Sequence, residues 1–395
     1  MSGRPPVEGV PRTVRGLSLV SLFNDLASEM VYPLLPALVT GPLGAGALVL
    51  GLLDGAAELT SAALKVVSGR LADRPGWRGP LILVGYATAV LARPLIAVAG
   101  AAWQVVGFRV IDRVGKGLRT PARDAWIAEL TPPPLRGRAF GFHRAADHFG
   151  AVLGSLVAWL LLEQGLAVRD VIAWSVVPGV VACLVLAPLL GRAGPGGVGA
   201  PSRPAGGEVD ATGRVFWAPV LLLAALTFLR LPEALLLLRL QDLGVLVAWI
   251  PLVWAALHVV RSASSYPGGW LADRLGARAT VAAGGLLFAV VVAALARRPS
   301  AEAAVVVFLL LGAVAGLTES AERALVARLA PVRTGRGFGS YHALVGAASL
   351  PAGLAFGWLY QSLGGPRALS ASAVGMVLAV GVWLLVTNPG SRGTG

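Results

Sequence analysis

Residues 69–76 read Gly69-Arg70-Leu71-Ala72-Asp73-Arg74-Pro75-Gly76, and 200 residues on, 269–276 read Gly269-Trp270-Leu271-Ala272-Asp273-Arg274-Leu275-Gly276. Each octet separates two long apolar stretches. Two further segments return at nearly the same offset: Ala122-Arg123-Asp124-Ala125 as Ala321-Glu322-Arg323-Ala324, and Gly137-Arg138-Ala139-Phe140-Gly141 as Gly335-Arg336-Gly337-Phe338-Gly339. Matches that keep one order and one spacing are a poor fit to chance. The chain reads as two copies of one plan.

That plan is a membrane one. Of the 395 residues, 56% are hydrophobic before the 51 glycines are added, and 13% are charged, where soluble domains carry about 25% charged residues. At roughly 20 apolar residues per spanning helix, the length holds about twelve crossings and no sizeable soluble domain, which argues against a cytosolic enzyme. Apolar stretches between Gly, Pro and Arg clusters place helices 1 to 12 at 15–40, 46–71, 79–100, 102–128, 137–163, 168–191, 214–240, 245–271, 278–297, 301–329, 335–362 and 366–388. Gly191 to Gly213, rich in Gly and Pro and containing Glu208 and Asp210, has linker composition. The expected architecture is all-α: an N-terminal six-helix half (1–191), a cytoplasmic linker (192–213) and a C-terminal six-helix half (214–395) related by pseudo-symmetry. Internal repeats of this size are a feature of secondary transporters, whose substrate site forms between the repeats.

The net charge of +13 would point to nucleic acid in a soluble chain. In a membrane chain, positive charge is counted by side, because cytoplasmic loops retain Lys and Arg. With the N-terminus inside, sixteen arginines fall at cytoplasmic ends and loops, and only Arg169, Arg239, Arg297, Arg298 and Arg367 fall outside. A multi-pass protein of the cytoplasmic (inner) membrane is expected, with both termini cytoplasmic and no nucleic-acid partner. The first apolar stretch is interrupted by Asp25 and Glu29 and has no small-residue cleavage site after it, so it reads as a retained helix rather than a signal peptide. Cys183 is the single cysteine, which excludes an internal disulfide.

Helices 6, 9 and 12 have uncharged interiors and helix 3 has only Arg93, whereas the other eight carry ionisable residues well inside their spans. An intramembrane charge costs about 2.5 to 3.5 kcal/mol on the insertion scale. The eight are therefore expected to surround a polar cavity, with every third helix outside them toward lipid.

With these features the chain resembles the major facilitator superfamily, whose loop signature Gly-x-Leu-Ala-Asp-Arg-x-Gly is matched by residues 69–76 and 269–276. The resemblance covers nearly the whole chain. The family's fourth-helix motif Arg-x-x-Gln-Gly is recognisable at Arg113, Lys116 and Gly117, with lysine in place of glutamine. Its fifth-helix antiporter motif Gly-x-x-x-Gly-Pro is only partly present, as Gly150 and Gly154 followed by Ser155. The runs Asp112–Arg119 and Phe140–Arg144 resemble a bacterial branch of unknown substrate. The resemblance implies a transporter fold and alternating access; it does not imply a substrate.

At 1.5 Å rise per residue, mid-membrane positions hold Asp25 and Glu29 on helix 1, Glu58 on helix 2, Arg109, Asp112, Arg113 and Lys116 on helix 4, and Arg144, Asp147 and His148 on helix 5. Arg230 and Glu233 on helix 7 and His258 on helix 8 complete the expected substrate and proton pathway. Asp25 and Glu29 share one helical face, as do Asp54 and Glu58. Arg109, Arg113, Lys116, Arg119 and Arg123 follow steps of three and four, making one basic stripe. The stripe suits an anion path, because arginine presents a planar donor fork, or a ladder of ion pairs with Asp112, Asp124 and the acids of helices 1 and 2. Asp25 and Glu29 are either permanently ionised partners of Arg109 or Arg113, or one of them takes up a proton during the cycle. An acid on helix 1 facing the fourth-helix arginine resembles an arrangement common in the family.

The aligned repeat sets Arg123 opposite Glu322 and Asp124 opposite Arg323, with every charge reversed. These four residues and the loop residues Asp73, Arg74, Asp273 and Arg274 form the expected conformational gate. Asp73 is expected beside the start of helix 11, near Gly335, and Asp273 beside the start of helix 5, near Gly137. His143 and His148 are five apart and there is no cysteine pair, so no metal site is expected. The only Gly-Lys lacks the phosphate-loop pattern, since Val110 stands where the first glycine belongs, and no cofactor is expected.

The leading expectation is a monomeric secondary active transporter moving a small organic solute, with an organic anion as one candidate class, by alternating access coupled to protons. One alternative is an exporter of amphipathic or cationic drug-like compounds that uses the acids of helices 1 and 2. A membrane-embedded lipid-modifying enzyme would need a metal cluster or a nucleophile constellation at a membrane face, and the sequence offers neither.

Overall fold

The computed structural model describes residues 10–72, 74, 76–132, 136–193, 214–329 and 334–387, with side chains except at 136–138, 192–193, 214–215, 320, 323–324, 327–328 and 334–339. Asp73, the Arg323 side chain and the contacts expected at Gly137 and Gly335 lie outside this description, as does the linker. The described secondary structure is entirely helical.

Helix 1 runs Arg12–Val31, a 3-10 turn Tyr32–Leu34 and a short helix Leu35–Thr40. Helices 2 to 5 are Ala47–Ala72, Arg78–Ala97, Ala102–Leu130 and Arg136–Glu163. Helix 6 is Val168–Trp174 continued by Val176–Ala193, and helix 7 is Arg214–Leu229 followed by Glu233–Asp242. Helix 8 is the 3-10 turn Val247–Trp249 with Ile250–Leu275, and helices 9 to 12 are Ala277–Ala296, Ala301–Leu329, Thr334–Leu363 and Gly365–Val386. Ten of these twelve are long and apolar enough to cross a membrane; helices 1 and 4 are the others. Those two carry charged residues inside the bundle, among them the buried Arg109, Asp112, Arg119 and Arg123.

Three expected helices are interrupted, helix 6 only at Ser175. Helix 1 changes to a 3-10 turn where Pro33 and Pro36 enter, and helix 7 opens at residues 230–232, ahead of Glu233. Proline lacks an N–H and clashes with the preceding turn, so Pro232 ends one helix and starts another.

The contacts repeat between halves. Helix 1 packs on 5, 2 on 4 and 3 on both 4 and 6; helix 7 packs on 11, 8 on 10 and 9 on both 10 and 12. The two octets close on Gly76 and Gly276, at φ 81 and 84. A side chain there would be strained in the left-handed region, so each tight connection requires glycine.

One end of the bundle is arginine-poor, and two of its arginines act as caps. Arg169 Nη1 donates to the Ala97 and Ala99 carbonyls at 2.6 and 2.8 Å, and Arg239 donates twice to the Leu295 carbonyl at 3.1 and 3.0 Å. Ala97 and Leu295 lie in the last turns of helices 3 and 9, where carbonyls have no partner within the helix, and Ala99 follows two residues beyond helix 3. At the arginine-rich end, Arg78 Nε caps Ala72 at 2.8 Å and pairs with Glu129, while Arg278 bonds to Thr387 and the Leu384 carbonyl.

The halves meet along helices 2 and 11 and along helices 5 and 8. A methyl group at Gly51 would collide with the Gly353 carbonyl, and one at Gly353 with the Gly51 carbonyl, so the absence of side chains is what lets these backbones touch. Gly357 packs less tightly against Leu48, and the Trp159 and Trp249 rings approach to 6.1 Å nearby. All of these contacts lie toward the arginine-poor end.

Candidate functional site

The top of the helix-4 stripe is built into a closed ion-pair network. Asp112 accepts from Arg93 Nε at 2.9 Å and Arg109 Nη1 at 3.2 Å, and the side chains of all three are at most 2% exposed. Arg93 also donates to the Asn24 backbone carbonyl at 3.0 Å and to its side-chain oxygen at 3.1 Å, tying helix 3 to helix 1. The Arg109 guanidinium lies 4.8 Å over the Tyr32 ring. Two buried guanidiniums share this one buried carboxylate, and Arg113 Nε stands 4.0 Å from it. Arg93, the single charge on a helix read as lipid-facing, points inward.

Lower on the stripe, Arg119 turns to helix 3, stacking 4.8 Å over Tyr86, and Arg123 bonds to Ser21 at 2.9 Å and to Asp124 at 2.9 Å. Arg113, Lys116 and Lys65 are left around Glu58, within electrostatic reach of its carboxylate. Asp25 takes a hydrogen bond from Asn24 at 2.9 Å and has Lys116, Arg119, Arg123 and Asp147 within the same reach. The stripe therefore does two things: Arg109, Arg119 and Arg123 hold helices together, while Arg113, 4.0 Å from Asp112, and Lys116 also lie within electrostatic reach of Glu58 on helix 2.

Glu29 crosses the interface. Its Oε2 accepts from Trp254 Nε1 at 2.7 Å and stands 3.8 Å from His258 Nε2, both on helix 8. Trp254 packs edge-on against His258 and tilted against Tyr32, with centroids 5.2 Å apart in each pair. One turn nearer the arginine-poor end, Asp54 accepts from the Tyr32 hydroxyl and from the Ala234 N–H. On helix 5, His143 Nε2 lies 3.6 Å from Asp147 and its Nδ1 3.3 Å from Ser18, and Arg144 lies 4.0 Å from Asp147. His148 is within electrostatic reach of His258.

In the C-terminal half the break in helix 7 opens onto a pocket of about 170 Å3. Arg230, Glu233, Arg261, Thr318 and Glu319 give it polar walls, and Trp254, Phe288 and Phe308 give it aromatic ones. Arg230 pairs with Glu322 at 3.0 Å, which also accepts from Tyr341 at 2.5 Å, and Arg261 pairs with Glu233 at 2.6 Å. The buried Nε atoms of Arg230 and Arg261 have no hydrogen-bond partner among the described residues. Broken helices with charged groups at the break are a recurring way to make a transporter site.

Of the expected gate, Arg123 and Glu322 each bond within their own half here, to Ser21 and Asp124 and to Arg230 and Tyr341. Asp273 is exposed, and Arg274 stacks 4.3 Å over Trp270 of its own octet. Arg74 is also exposed. Asp54, Tyr32, Trp254 and Arg93 adjoin the site although none was placed in the expected pathway, Asp54 and Arg93 having been noted only by spacing and as a lone charge. Those two features were the available signals.

The profile of the Major Facilitator Superfamily matches residues 17–261 and 234–394. The chain is 33% identical over 370 residues to an uncharacterised protein of Mycobacterium tuberculosis, covering 89% of this chain and 87% of that protein. It is 29% identical over 354 residues to an MFS-type transporter of Methanocaldococcus jannaschii, covering 87% of each. A shorter match, 32% over 146 residues, links 37% of this chain to 36% of the multidrug resistance protein MdtH of Edwardsiella ictaluri. Among solved structures, a POT family transporter in complex with a thioalcohol-conjugated peptide superposes with TM-score 0.79 at 12% identity, covering 97% of both chains.

Proposed function

The chain belongs to the Major Facilitator Superfamily, and from that premise we propose a secondary active transporter that moves a small organic solute across the cytoplasmic membrane by alternating access, driven by protons. Cytoplasmic loops retain positive charge, so the arginine-rich end and both termini are cytoplasmic. The clasped, arginine-poor end then faces outward, and the state described is shut to the outside.

One observation carries the coupling: Glu29, an acid at mid-depth, is held by Trp254 and lies beside His258 of the opposite half. An acceptor shared between halves has a different environment in each conformation. Proton occupancy at Glu29 is therefore linked to which end is open. Asp25, Asp147, His148 and Glu58 line the same path. The solute occupies the pocket at the helix-7 break, where the aromatic walls hold an apolar body and Arg230, Glu233, Arg261 and Glu319 orient its polar groups. At the arginine-rich end, Arg123, Asp124, Glu322, Arg323 and the octet residues exchange partners when that end closes.

A second reading, export of amphipathic or cationic compounds, is favoured by the local likeness to MdtH and by carboxylates beside aromatic walls in the pocket. The test is purified protein in proteoliposomes under an imposed pH gradient, with radiolabelled organic cations, organic anions, dipeptides and nucleosides offered in turn. Gradient-dependent accumulation of a compound, abolished by a protonophore, is expected. Equilibration of every compound without accumulation contradicts the proposal, and accumulation of the cations alone selects the second reading.

A further inference from the structure

Asp54 lies on helix 2, two turns inside the arginine-poor end. Its Oδ2 accepts two hydrogen bonds, from the Tyr32 hydroxyl at 2.9 Å and from the Ala234 backbone N–H at 2.9 Å. Tyr32 belongs to the same half and Ala234 to the other. Ala234 is the second residue of the ten-residue helix Glu233–Asp242, which begins after Pro232. First-turn amides have no acceptor in their own helix, and that end of a helix carries partial positive charge. The carboxylate of one half therefore completes the helix start of the other.

The charged groups around Asp54 leave this contact dependent on its own charge. Arg109 of helix 4 approaches from behind the Tyr32 ring, and Glu233 of helix 7 lies on the opposite half. Glu58 is the next acid on helix 2 itself. Helix 11, packed along helix 2, has no charged residue between 343 and 360. In the opposite half, Arg230 and Arg261 are engaged by Glu322 and Glu233. No described cation of that half is paired with Asp54.

We propose that Asp54 is a proton-binding latch: ionised, it holds Ala234 and keeps the arginine-poor end shut, and protonated from the medium on that side, it lets the end open. A hydrogen bond to an ionised acceptor is about twice as strong as a neutral one. Protonation also removes the negative charge that the helix end attracts. The proton adds to a carboxylate oxygen, and no other bond is made or broken. The inference rests on the alternating-access reading, but its test reads conformation rather than transport.

The experiment places spin labels at Gln164→Cys and Leu246→Cys in a Cys183→Ser background, in lipid nanodiscs, and measures the inter-label distance by pulsed EPR from neutral to acidic pH. The open-to-closed ratio is expected to rise with acid. Asp54→Asn keeps shape and an acceptor but not charge, and is expected to shift that ratio about tenfold toward open at neutral pH and to reduce the acid response to what Glu29 contributes. Ala234→Pro removes the donor without altering a titratable group, at the second residue of the helix, where the N–H has no partner within the helix, and is expected to do the same. It also decides the matter if Asp54→Asn fails to fold. Wild-type distances with an intact acid response in either folded variant would overturn the proposal. A working latch in a protein that accumulates nothing would defeat the transport reading alone.

Discussion

Trp254 donates its indole N–H to Glu29 over 2.7 Å, joining helix 8 to helix 1 across the two halves. Asp54 and Ala234 make the parallel contact one turn outward. In both, a carboxylate of the N-terminal half accepts from a neutral N–H of the C-terminal half. On the proposed reading, closure at this end depends on the charge of these two carboxylates.

Replacing Trp254 with Phe keeps most of the ring contact with His258 and Tyr32 and removes the donor. A hydrogen bond to a charged group contributes about 1.5–3 kcal/mol. Trp254→Phe should loosen the arginine-poor end by a comparable amount, read as faster thiol labelling of Leu246→Cys in a Cys183→Ser background. An unchanged labelling rate would mean that this bond does not help to hold the end shut.

The network at Asp112 makes a stability prediction. Asp112→Asn leaves Arg93 and Arg109 buried without their shared carboxylate, a change expected to cost about 3–5 kcal/mol. Asp124 is 34% exposed in its pair with the buried Arg123, which also holds Ser21, so Asp124→Asn should cost less than Asp112→Asn. Thermal unfolding of the two purified variants gives the comparison. Equal losses would argue against a structural role for the network.

Gly353→Val separates folding from closure. The valine side chain would run into the Gly51 carbonyl across the inter-half seam, while each six-helix half keeps its own contacts. The variant should fold with a melting temperature near wild type and stay open at the arginine-poor end. A folded variant that still closes there would show that this seam yields easily.

The twelve helices were legible because apolar length and breaker clusters mark membrane crossings directly, and observed ends differ from the expected ones by a few residues. The breaks in helices 1 and 7 were hidden because Pro33, Pro36 and Pro232 sit inside otherwise continuous apolar runs. Arg93 could not be assigned, since its partners Asn24 and Asp112 lie on two other helices. The stripe of helix 4 was visible as a periodicity, but periodicity does not say that Arg119 would turn to Tyr86 while Arg113 stays near Glu58. Trp254 could not be told from the other ten tryptophans by composition, because what distinguishes it is Glu29, 225 residues away.

The central claim, that Glu29 carries the coupling proton, is tested most directly by comparing wild type with Glu29→Gln in proteoliposomes, using whichever compound of the panel the wild type accumulates. The glutamine keeps an acceptor for Trp254 but cannot take up a proton. The account predicts that Glu29→Gln still exchanges labelled for unlabelled compound across the membrane at equal pH, yet no longer concentrates it when a pH gradient is imposed. Gradient-driven accumulation by Glu29→Gln at the wild-type level would contradict it.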